Sequence, residues 1–117
     1  MGSVEGAFAI AANPLIDLCE QQLVGCDNKN HGGTGTGCQG GMMREAFDWI
    51  GQEHPLCTYS AYPHLAGVGG GVGTCNTSCA GLVTVSNRTD VLGEGGMLAA
   101  ISVGPVAVAV EAGTLEW

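Results

Sequence analysis

Apolar residues recur at helical spacing in two segments of the first half of the chain. Residues 2–12 are small and apolar, and the Asn13-Pro14 pair is expected to end the helix that they form. Residues 42–54 have the clearer pattern, since their apolar side chains repeat every three or four positions with charged residues between them. Both segments are therefore predicted to be helices.

A shorter helix is predicted between these two. Asp17 and Glu20 stand three residues apart before an apolar stretch, a spacing typical of a capping box at the start of a helix. We expect this helix to close by Cys26. A polar, glycine-rich loop then covers residues 27–37.

The second half of the chain has a different character. Residues 55–81 carry dense turn signals and three cysteines, so this loop is expected to depend on cross-links for its order. Beyond it the pattern predicts a strand at 82–85, a short helical turn at 97–101, and an almost continuous apolar strand, buried on both faces, at 106–110.

Net charge excludes two classes of partner. The chain of 117 residues has 3 basic and 11 acidic side chains, a formal charge of −8. A nucleic-acid binder needs a basic surface to neutralise phosphates, and an anionic membrane attracts cations, so neither is expected as a partner. No run of 18 apolar residues is present to span a membrane. Glycine, with 21 residues, far exceeds its usual share and indicates many turns.

The cysteine content indicates an oxidising compartment. Six cysteines allow about fifteen full pairings, and all are open at this stage. Two Asn-x-Ser/Thr sequons, at Asn76 and Asn87, are glycosylation candidates and point to the same compartment. The cysteine and histidine spacings match no familiar zinc module, which favours disulfides over a metal site. The first residues contain Glu5 and no basic residue, so they lack the pattern of a signal peptide.

Two further features carry no catalytic prediction. Residues 35–40, GTGCQG, satisfy the glycine spacing of a dinucleotide site, but no strand precedes them and no acidic residue lies at the distance that such a site needs. His31, His54 and His64 have no acidic neighbour at a useful spacing. We expect them to be surface residues rather than general bases.

Four segments, taken together, resemble the papain-like cysteine peptidases. They match the family's patterns in type, order and spacing over almost the whole chain, and they are LCEQQLVGCD (18–27), GCQGGMMREAFDWI (37–50), SAYPH (60–64) and VGPVAVAVEAG (103–113). The resemblance implies an α+β, papain-like cysteine proteinase fold, present here in incomplete form. Residues 1–86 would form its helical lobe, and residues 87–117 the beginning of its β-barrel lobe.

The resemblance also assigns part of a substrate cleft. Gly40 and Gly41 match the glycine pair whose backbone pairs with an extended substrate, where a side chain would block close approach. Met42, Met43 and Ala109 match positions that line the family's main specificity pocket. Because these three side chains carry no charge, an apolar or aromatic residue is expected at the second substrate position before the cut. A Met pair at the start of an amphipathic helix is also typical of a hydrophobic core.

The catalytic residues of the family have no match in this chain. In the family, a nucleophilic Cys preceded by an oxyanion-hole Gln starts the central helix, and the general-base His and its Asn come after the apolar barrel strand. Here no Cys is followed by Trp, and no His follows residues 106–110. We therefore expect a fragment, truncated at both ends, of a cysteine endopeptidase that cleaves polypeptides, inactive by itself and without a cofactor.

The parent enzyme is expected in a lysosome or vacuole, or outside the cell. Three alternatives to a protease fragment remain open: a non-catalytic relative that binds proteins, a pseudogene product, and a small disulfide-rich structural module.

The resemblance implies the state of three cysteines, and the position of two others along the chain suggests a further bond. By match to the family, Cys26 would bond Cys75, and Cys38 would lack its usual partner and stay an orphan thiol. Cys57 and Cys79 flank the glycine-rich part of the loop and could form an extra bond that orders it.

The sixth cysteine departs from the family pattern. Cys19 stands where the family usually has Ser, a change that weakens a helix start and leaves Asp17 to cap the short helix. We expect Cys19 to remain a buried thiol.

Overall fold

The chain forms four short α-helices and two single turns of 3₁₀-helix in the parts that the structure describes. In the computed structural model these parts are residues 1–62 and 72–113. The helices are α1 (Gly2–Ile10), α2 (Glu20–Cys26), α3 (Met43–Gly51) and α4 (Gly93–Ile101), and the 3₁₀ turns are Lys29–His31 and Gly37–Gln39. The same ranges contain no regular strand; two isolated antiparallel bridges join Leu18 to Thr58 and Leu56 to Val83. None of the described helices is long and apolar enough to cross a membrane.

Helix α1 agrees with the helix predicted over 2–12, apart from its last two positions. The Asn13 side-chain amide donates hydrogen bonds to the carbonyls of Phe8 and Ala11, at 3.0 and 3.2 Å. These bonds satisfy carbonyl groups that the end of a helix leaves without partners. Helix α1 therefore ends shortly before the Asn13-Pro14 pair, and Asn13 bonds the carbonyl groups at its end.

Helix α2 begins at Glu20, but the capping box predicted from Asp17 and Glu20 is not formed. The N-cap residue is Cys19, whose backbone is extended and whose side chain makes no capping bond. The reason is that the Cys19 N–H donates to the Cys57 carbonyl at 3.0 Å, which keeps the chain extended up to residue 19. Asp17 thus lies two positions before the N-cap, and its predicted capping role is wrong.

Helix α3 lies within the segment 42–54 that the apolar pattern predicts. Its inner face carries Trp49 and Ile50 into the core, where 3% and 1% of their surface is exposed. The alternation of apolar and charged positions thus correctly indicates a helix with one buried face.

Two of the three histidines are half-buried, which corrects the prediction that they lie on the surface. The Trp49 indole N–H donates to the His31 carbonyl at 2.9 Å, and the His54 ring stacks on the indole with the ring centroids 4.2 Å apart. Trp49 covers both histidines, because its N–H bonds the backbone of His31 and its ring face packs on His54. His64 lies outside the described residues.

Helix α4 is four residues longer than the helical turn predicted at 97–101. Gly93, Gly95 and Gly96 weaken the helical signal in the sequence, since each glycine costs a helix about 1 kcal/mol relative to alanine. The acidic Glu94 in the first turn favours the helix start through its interaction with the helix dipole.

Neither of the two strands predicted in the second half forms as a regular strand, and only one residue of them is paired. In the first, Val83 exchanges two backbone hydrogen bonds with Leu56, of 2.6 and 3.2 Å. Residues 106–110 form no strand, and Val108 and Val110 are 54% and 61% exposed, so the buried strand predicted there is wrong for this structure. A strand needs a neighbour for its backbone groups, and no described segment pairs with residues 106–110.

The hydrophobic core lies where α2 and α3 meet the segment 55–58. Its buried residues are Val4, Leu18, Cys19, Cys26, Trp49, Ile50, Leu56, Cys57, Tyr62 and Val83. Gln22 of α2 is buried with them: its amide donates to the Pro55 carbonyl at 3.0 Å, and its Oε1 accepts the Cys57 N–H at 2.8 Å. Because both the nitrogen and the oxygen of the side-chain amide are hydrogen-bonded, a polar residue can occupy this buried position.

Two disulfides attach the following loop to this core. Cys26 bonds Cys75, and Cys57 bonds Cys79, which are the pairings expected from the sequence. The first closes a span of 49 residues, and a loop-entropy treatment gives a closure of that length a stabilisation of about 4 kcal/mol. The loop thus depends on cross-links at its beginning and at its end.

We predict that the two remaining thiols differ in reactivity. Cys38 is exposed, whereas Cys19 is fully buried, and burial raises the pKa of the Cys19 thiol. Iodoacetamide at mildly alkaline pH should label Cys38 in the folded chain and Cys19 only in denaturant, because the accessible thiolate is the reactive form. The labels are located by mass mapping of non-reduced peptides. Equal labelling of both thiols in the native chain would contradict the structure.

Candidate functional site

The loop between α2 and α3 is organised by one buried carboxylate. Asp27 is 6% exposed, and its Oδ1 accepts hydrogen bonds from the backbone N–H groups of Thr34 and Gly35, at 3.1 and 3.4 Å. A side chain at Gly33 or Gly35 would collide with Asp27, so both positions require glycine. The carboxylate therefore folds the loop back onto the end of α2.

Gly40 uses both of its backbone groups within this loop. Its carbonyl accepts hydrogen bonds from the N–H and the hydroxyl of Thr36, at 2.9 and 2.6 Å, and its N–H donates to the Gly37 carbonyl at 3.1 Å. Its φ of 97° with ψ of −169° lies in a region that is essentially restricted to glycine. Gly40 thus shapes the loop and keeps no backbone group for a ligand.

Gly41 has the opposite character. It is exposed, and within the described parts of the chain neither its N–H nor its C=O has a hydrogen-bond partner. Its neighbour across the loop is Gly35, whose Cα would lie 3.4 Å from a Cβ added at Gly41. One donor and one acceptor of the backbone are therefore open to a ligand at this residue.

An open cavity of about 950 Å³ begins at Met42, the residue that follows Gly41. Its walls come from α1, the first half of α3, residues 83–91, α4 and residues 103–107. Met42 and Met43 line it and are 59% and 39% exposed, and most of the other lining side chains are apolar. A volume in this range accommodates a ligand of several side chains.

Arg88 and Asp90 of the cavity wall form a charged network with Asp48 of α3. The Nε and Nη2 of Arg88 donate to the two carboxylate oxygens of Asp48 at 2.7 and 2.9 Å, and its Nη1 donates to Asp90 at 2.8 Å. The bidentate pair between Arg88 and Asp48 connects the segment after Val85 to α3. It also holds the pKa of Asp48 below its usual value. Arg44, also in the cavity wall, is exposed.

Ala109 is separated from the rest of the predicted cleft. It is exposed, and the cavity lining ends two residues earlier, at Ala107. Because no described segment pairs with this part of the backbone, no strand holds Ala109 against α3. Met42 and Met43 line the cavity without it, so the described residues do not assemble the pocket expected from all three.

In the described residues no cysteine is hydrogen-bonded to a histidine. The His31 Nδ1 lies 3.1 Å from the Asn28 Oδ1, and the His54 Nδ1 lies 2.8 Å from the Trp49 carbonyl oxygen. In the same ranges, no three His, Cys, Asp or Glu side chains are grouped so as to hold a metal ion.

Both sequon asparagines are exposed. The Asn76 Oδ1 accepts hydrogen bonds from the N–H and the hydroxyl of Ser78, at 2.9 and 2.5 Å, in a turn between two disulfide-bonded cysteines. Asn87 lies in the cavity wall, and its Oδ1 accepts the Arg88 N–H at 2.8 Å. Glycosylation of either residue stays a prediction.

The amino-acid sequence of this chain matches a known protein family. The family described as papain family cysteine protease has a model that matches residues 1–117. The chain belongs to this family. The resemblance inferred from the four motifs is thereby confirmed.

Relatives from plants and protozoa are papain-family proteases much longer than the matched region. Vignain of Vigna mungo is 37% identical over 115 residues, a match that covers 95% of this chain and 30% of vignain. The KDEL-tailed cysteine endopeptidase CEP2 of Arabidopsis thaliana is 36% identical over 121 residues, covering 100% of this chain and 31% of the relative. For cysteine proteinase B of Leishmania mexicana, the identity is 37% over 118 residues, and the coverage 96% and 25%. The chain thus spans less than a third of these relatives.

A solved structure of the papain family has a similar fold. The crystal structure of the Amb a 11 cysteine protease, a major ragweed pollen allergen, in its proform, superposes with a TM-score of 0.54 and 29% sequence identity. The match covers 70% of this chain and 24% of that protein. The papain-like fold expected from the sequence is confirmed, and the chain corresponds to a part of it.

The two residues that shape the Gly40–Gly41 pair were not identified from the sequence. Asp27 and Thr36 lie in a loop whose glycines alternate at 33, 35 and 37, and that alternation is a signal of close backbone packing. The sequence does not show that the group packed against these glycines is the Asp27 carboxylate. An Asp side chain is rarely buried unless it is hydrogen-bonded, and its partners here are known only from the structure.

We predict that Gly40→Ala destabilises the chain although no atom lies within 4 Å of the added Cβ. The cost comes from the backbone, since alanine at a φ of 97° is strained by about 1–3 kcal/mol. Gly95→Ala is the matched control: it also meets open space, but in the first turn of α4, and should stabilise by up to about 1 kcal/mol. The measurement is the free energy of unfolding in urea, and equal effects of the two changes would contradict the geometry of Gly40.

Proposed function

We propose that this chain forms part of the substrate-binding face of a papain-family cysteine endopeptidase. The observation that carries the proposal is Gly41, an exposed glycine whose N–H and C=O have no hydrogen-bond partner among the described residues, directly before two methionines that line an apolar cavity. An extended polypeptide would pair with these two groups as a strand pairs with a sheet edge. The substrate-pairing role expected of two glycines thereby narrows to Gly41, because Gly40 has both groups occupied.

The side chain of the paired residue would enter the cavity beside Met42 and Met43. A pair of flexible thioethers favours apolar and aromatic side chains, and it adapts to their shape. Among the described residues, one unpaired cation of the wall, the exposed Arg44, acts against a basic side chain. The charge of Arg88 does not contribute, because two carboxylates neutralise it. We therefore propose an apolar or aromatic preference at the second substrate position before the cut.

The cavity also fits the division into two lobes at residues 86 and 87. One wall comes from α1 and α3 of the proposed helical lobe, and the other comes from α4 and residues 103–107 of the proposed barrel lobe. A cleft between two units is a common place for ligand binding. The contact of Arg88 with Asp48 would connect the two lobes.

The chemistry of the whole enzyme would be peptide hydrolysis through an acyl-thioester. A Cys thiolate attacks the peptide carbonyl, a His transfers the proton to the leaving amine, and an oxyanion hole stabilises the tetrahedral intermediate. We propose that none of these groups belongs to the described residues. Four of the cysteines are in disulfides, Cys19 is buried, and Cys38 has no hydrogen bond to a histidine.

The parent protein would follow a secretory route. Two disulfides and two exposed sequons support an oxidising compartment. One relative is a KDEL-tailed endopeptidase, and a terminal KDEL is an address for retention in the endoplasmic reticulum. A non-catalytic binding protein of the same family is the second candidate, favoured by the lack of a Cys–His contact in the described residues.

We predict that the isolated chain binds an extended apolar peptide at Gly41. In an NMR titration with acetyl-Ala-Phe-Ala-amide, the amide signal of Gly41 and the methyl signals of Met42 and Met43 should shift. The same peptide N-methylated at Phe loses the donor to the Gly41 carbonyl and should bind about fivefold more weakly, the value of one net hydrogen bond. Equal affinity of the two peptides, or shifts confined to residues far from Gly41, would contradict the pairing.

We also predict that the isolated chain does not cleave peptides. Binding groups without a nucleophile cannot form an acyl-enzyme, so a fluorogenic peptide should show no turnover that a thiol-reactive epoxide abolishes. Vignain, assayed in parallel, is the positive control. Epoxide-sensitive turnover by the chain would place a catalytic Cys within it and end the proposed division of roles, whereas binding without turnover agrees with both candidate functions.

A further inference from the structure

Thr36 is an exposed residue whose two hydrogen-bond donors serve one acceptor. Both its N–H and its hydroxyl donate to the Gly40 carbonyl, at 2.9 and 2.6 Å. The side chain takes no part in the hydrophobic core. Its hydroxyl is therefore placed for a local task.

The loop that carries Thr36 is fastened to a helix on each side. The N–H of Thr34 donates to the buried Asp27 at the end of α2, at 3.1 Å, and its hydroxyl donates to Glu45 in the first turn of α3, at 2.7 Å. Gly35 adds a second bond to Asp27. Thr36 thus reaches Gly40 from a fixed base.

The consequence for Gly41 follows from the planarity of the peptide bond. The Gly40 carbonyl and the Gly41 N–H belong to one trans peptide unit, so they point in opposite directions. Holding the carbonyl against Thr36 turns the Gly41 N–H away from the loop. Between two glycines such a unit rotates at little steric cost, because neither residue has a Cβ to oppose the rotation.

We infer that Thr36 is a positioning residue: its hydroxyl locks the Gly40–Gly41 peptide unit so that the Gly41 N–H faces an incoming polypeptide. The inference deepens the proposed function and rests on it for the identity of the ligand. The lock itself is a property of the free chain, because all of its hydrogen bonds are internal. It can therefore be tested with and without the peptide.

The test compares three variants of the whole chain. Thr36→Val keeps the shape of the side chain and removes the hydroxyl, Thr36→Ser restores the hydroxyl, and Thr77→Val makes the same change at an exposed threonine outside the loop. The first readout is the hydrogen-exchange rate of the residue 36 amide, which donates to the same carbonyl. The second is the dissociation constant of acetyl-Ala-Phe-Ala-amide, followed at Gly41.

Thr36→Val should raise the exchange rate at residue 36 and the dissociation constant about fivefold each, with the melting temperature unchanged because the residue is exposed. Thr36→Ser and Thr77→Val should behave as the unchanged chain. A purely structural hydroxyl would lower the melting temperature and leave peptide affinity at Gly41 unaltered in the folded protein, and that result would overturn the inference.

The two proposals fail in different ways. If the unchanged chain does not shift with the peptide, the proposed function fails, and exchange alone then judges the lock: faster exchange in Thr36→Val sustains it, and unchanged exchange overturns it. If the chain binds the peptide and Thr36→Val binds it equally well, the positioning role is overturned while the proposed function stands.

Discussion

The folded chain depends on one extended segment, residues 56–58, that is bonded on both sides. On one side the Cys57 carbonyl accepts the Cys19 N–H, and the Cys57 N–H donates to Gln22; on the other, Leu56 exchanges backbone hydrogen bonds with Val83. Leu56 and Cys57 are completely buried, so these bonds lie in surroundings where an unpaired backbone group is costly. The segment thus joins the first helices to the second half of the chain.

The position of the candidate site follows from this arrangement. Because Cys19 is held extended, α2 starts at Glu20 and ends at Cys26, which is bonded to Cys75. Asp27 comes next, inside the fold rather than on its surface, and its carboxylate collects the glycine-rich loop. The backbone of Gly40 is therefore connected to the core by the hydrogen bonds of two polar residues, Asp27 and Thr36.

The proposed role of the site is binding rather than bond cleavage. It offers one backbone donor, one backbone acceptor and an apolar wall, and its charges are mostly paired with each other. In the proposed function, such a surface would select an extended chain by its backbone and one side chain by its size and polarity. The chain belongs to the papain family, and it spans less than a third of the family members that it matches.

The sequence by itself determined the family and the helices α1 to α3, because motif order and apolar periodicity are properties of the linear chain. It implied the Cys26–Cys75 bond only through the match to the family, and it left Cys57–Cys79 as an option that the tertiary structure decided. It did not determine where α2 is capped or that residues 106–110 lack a strand, because both depend on backbone partners distant in sequence. It also treated the glycine pair as equivalent. Only the tertiary structure separates Gly40 from Gly41, because which carbonyl Thr36 reaches is decided by a loop anchored on a buried carboxylate.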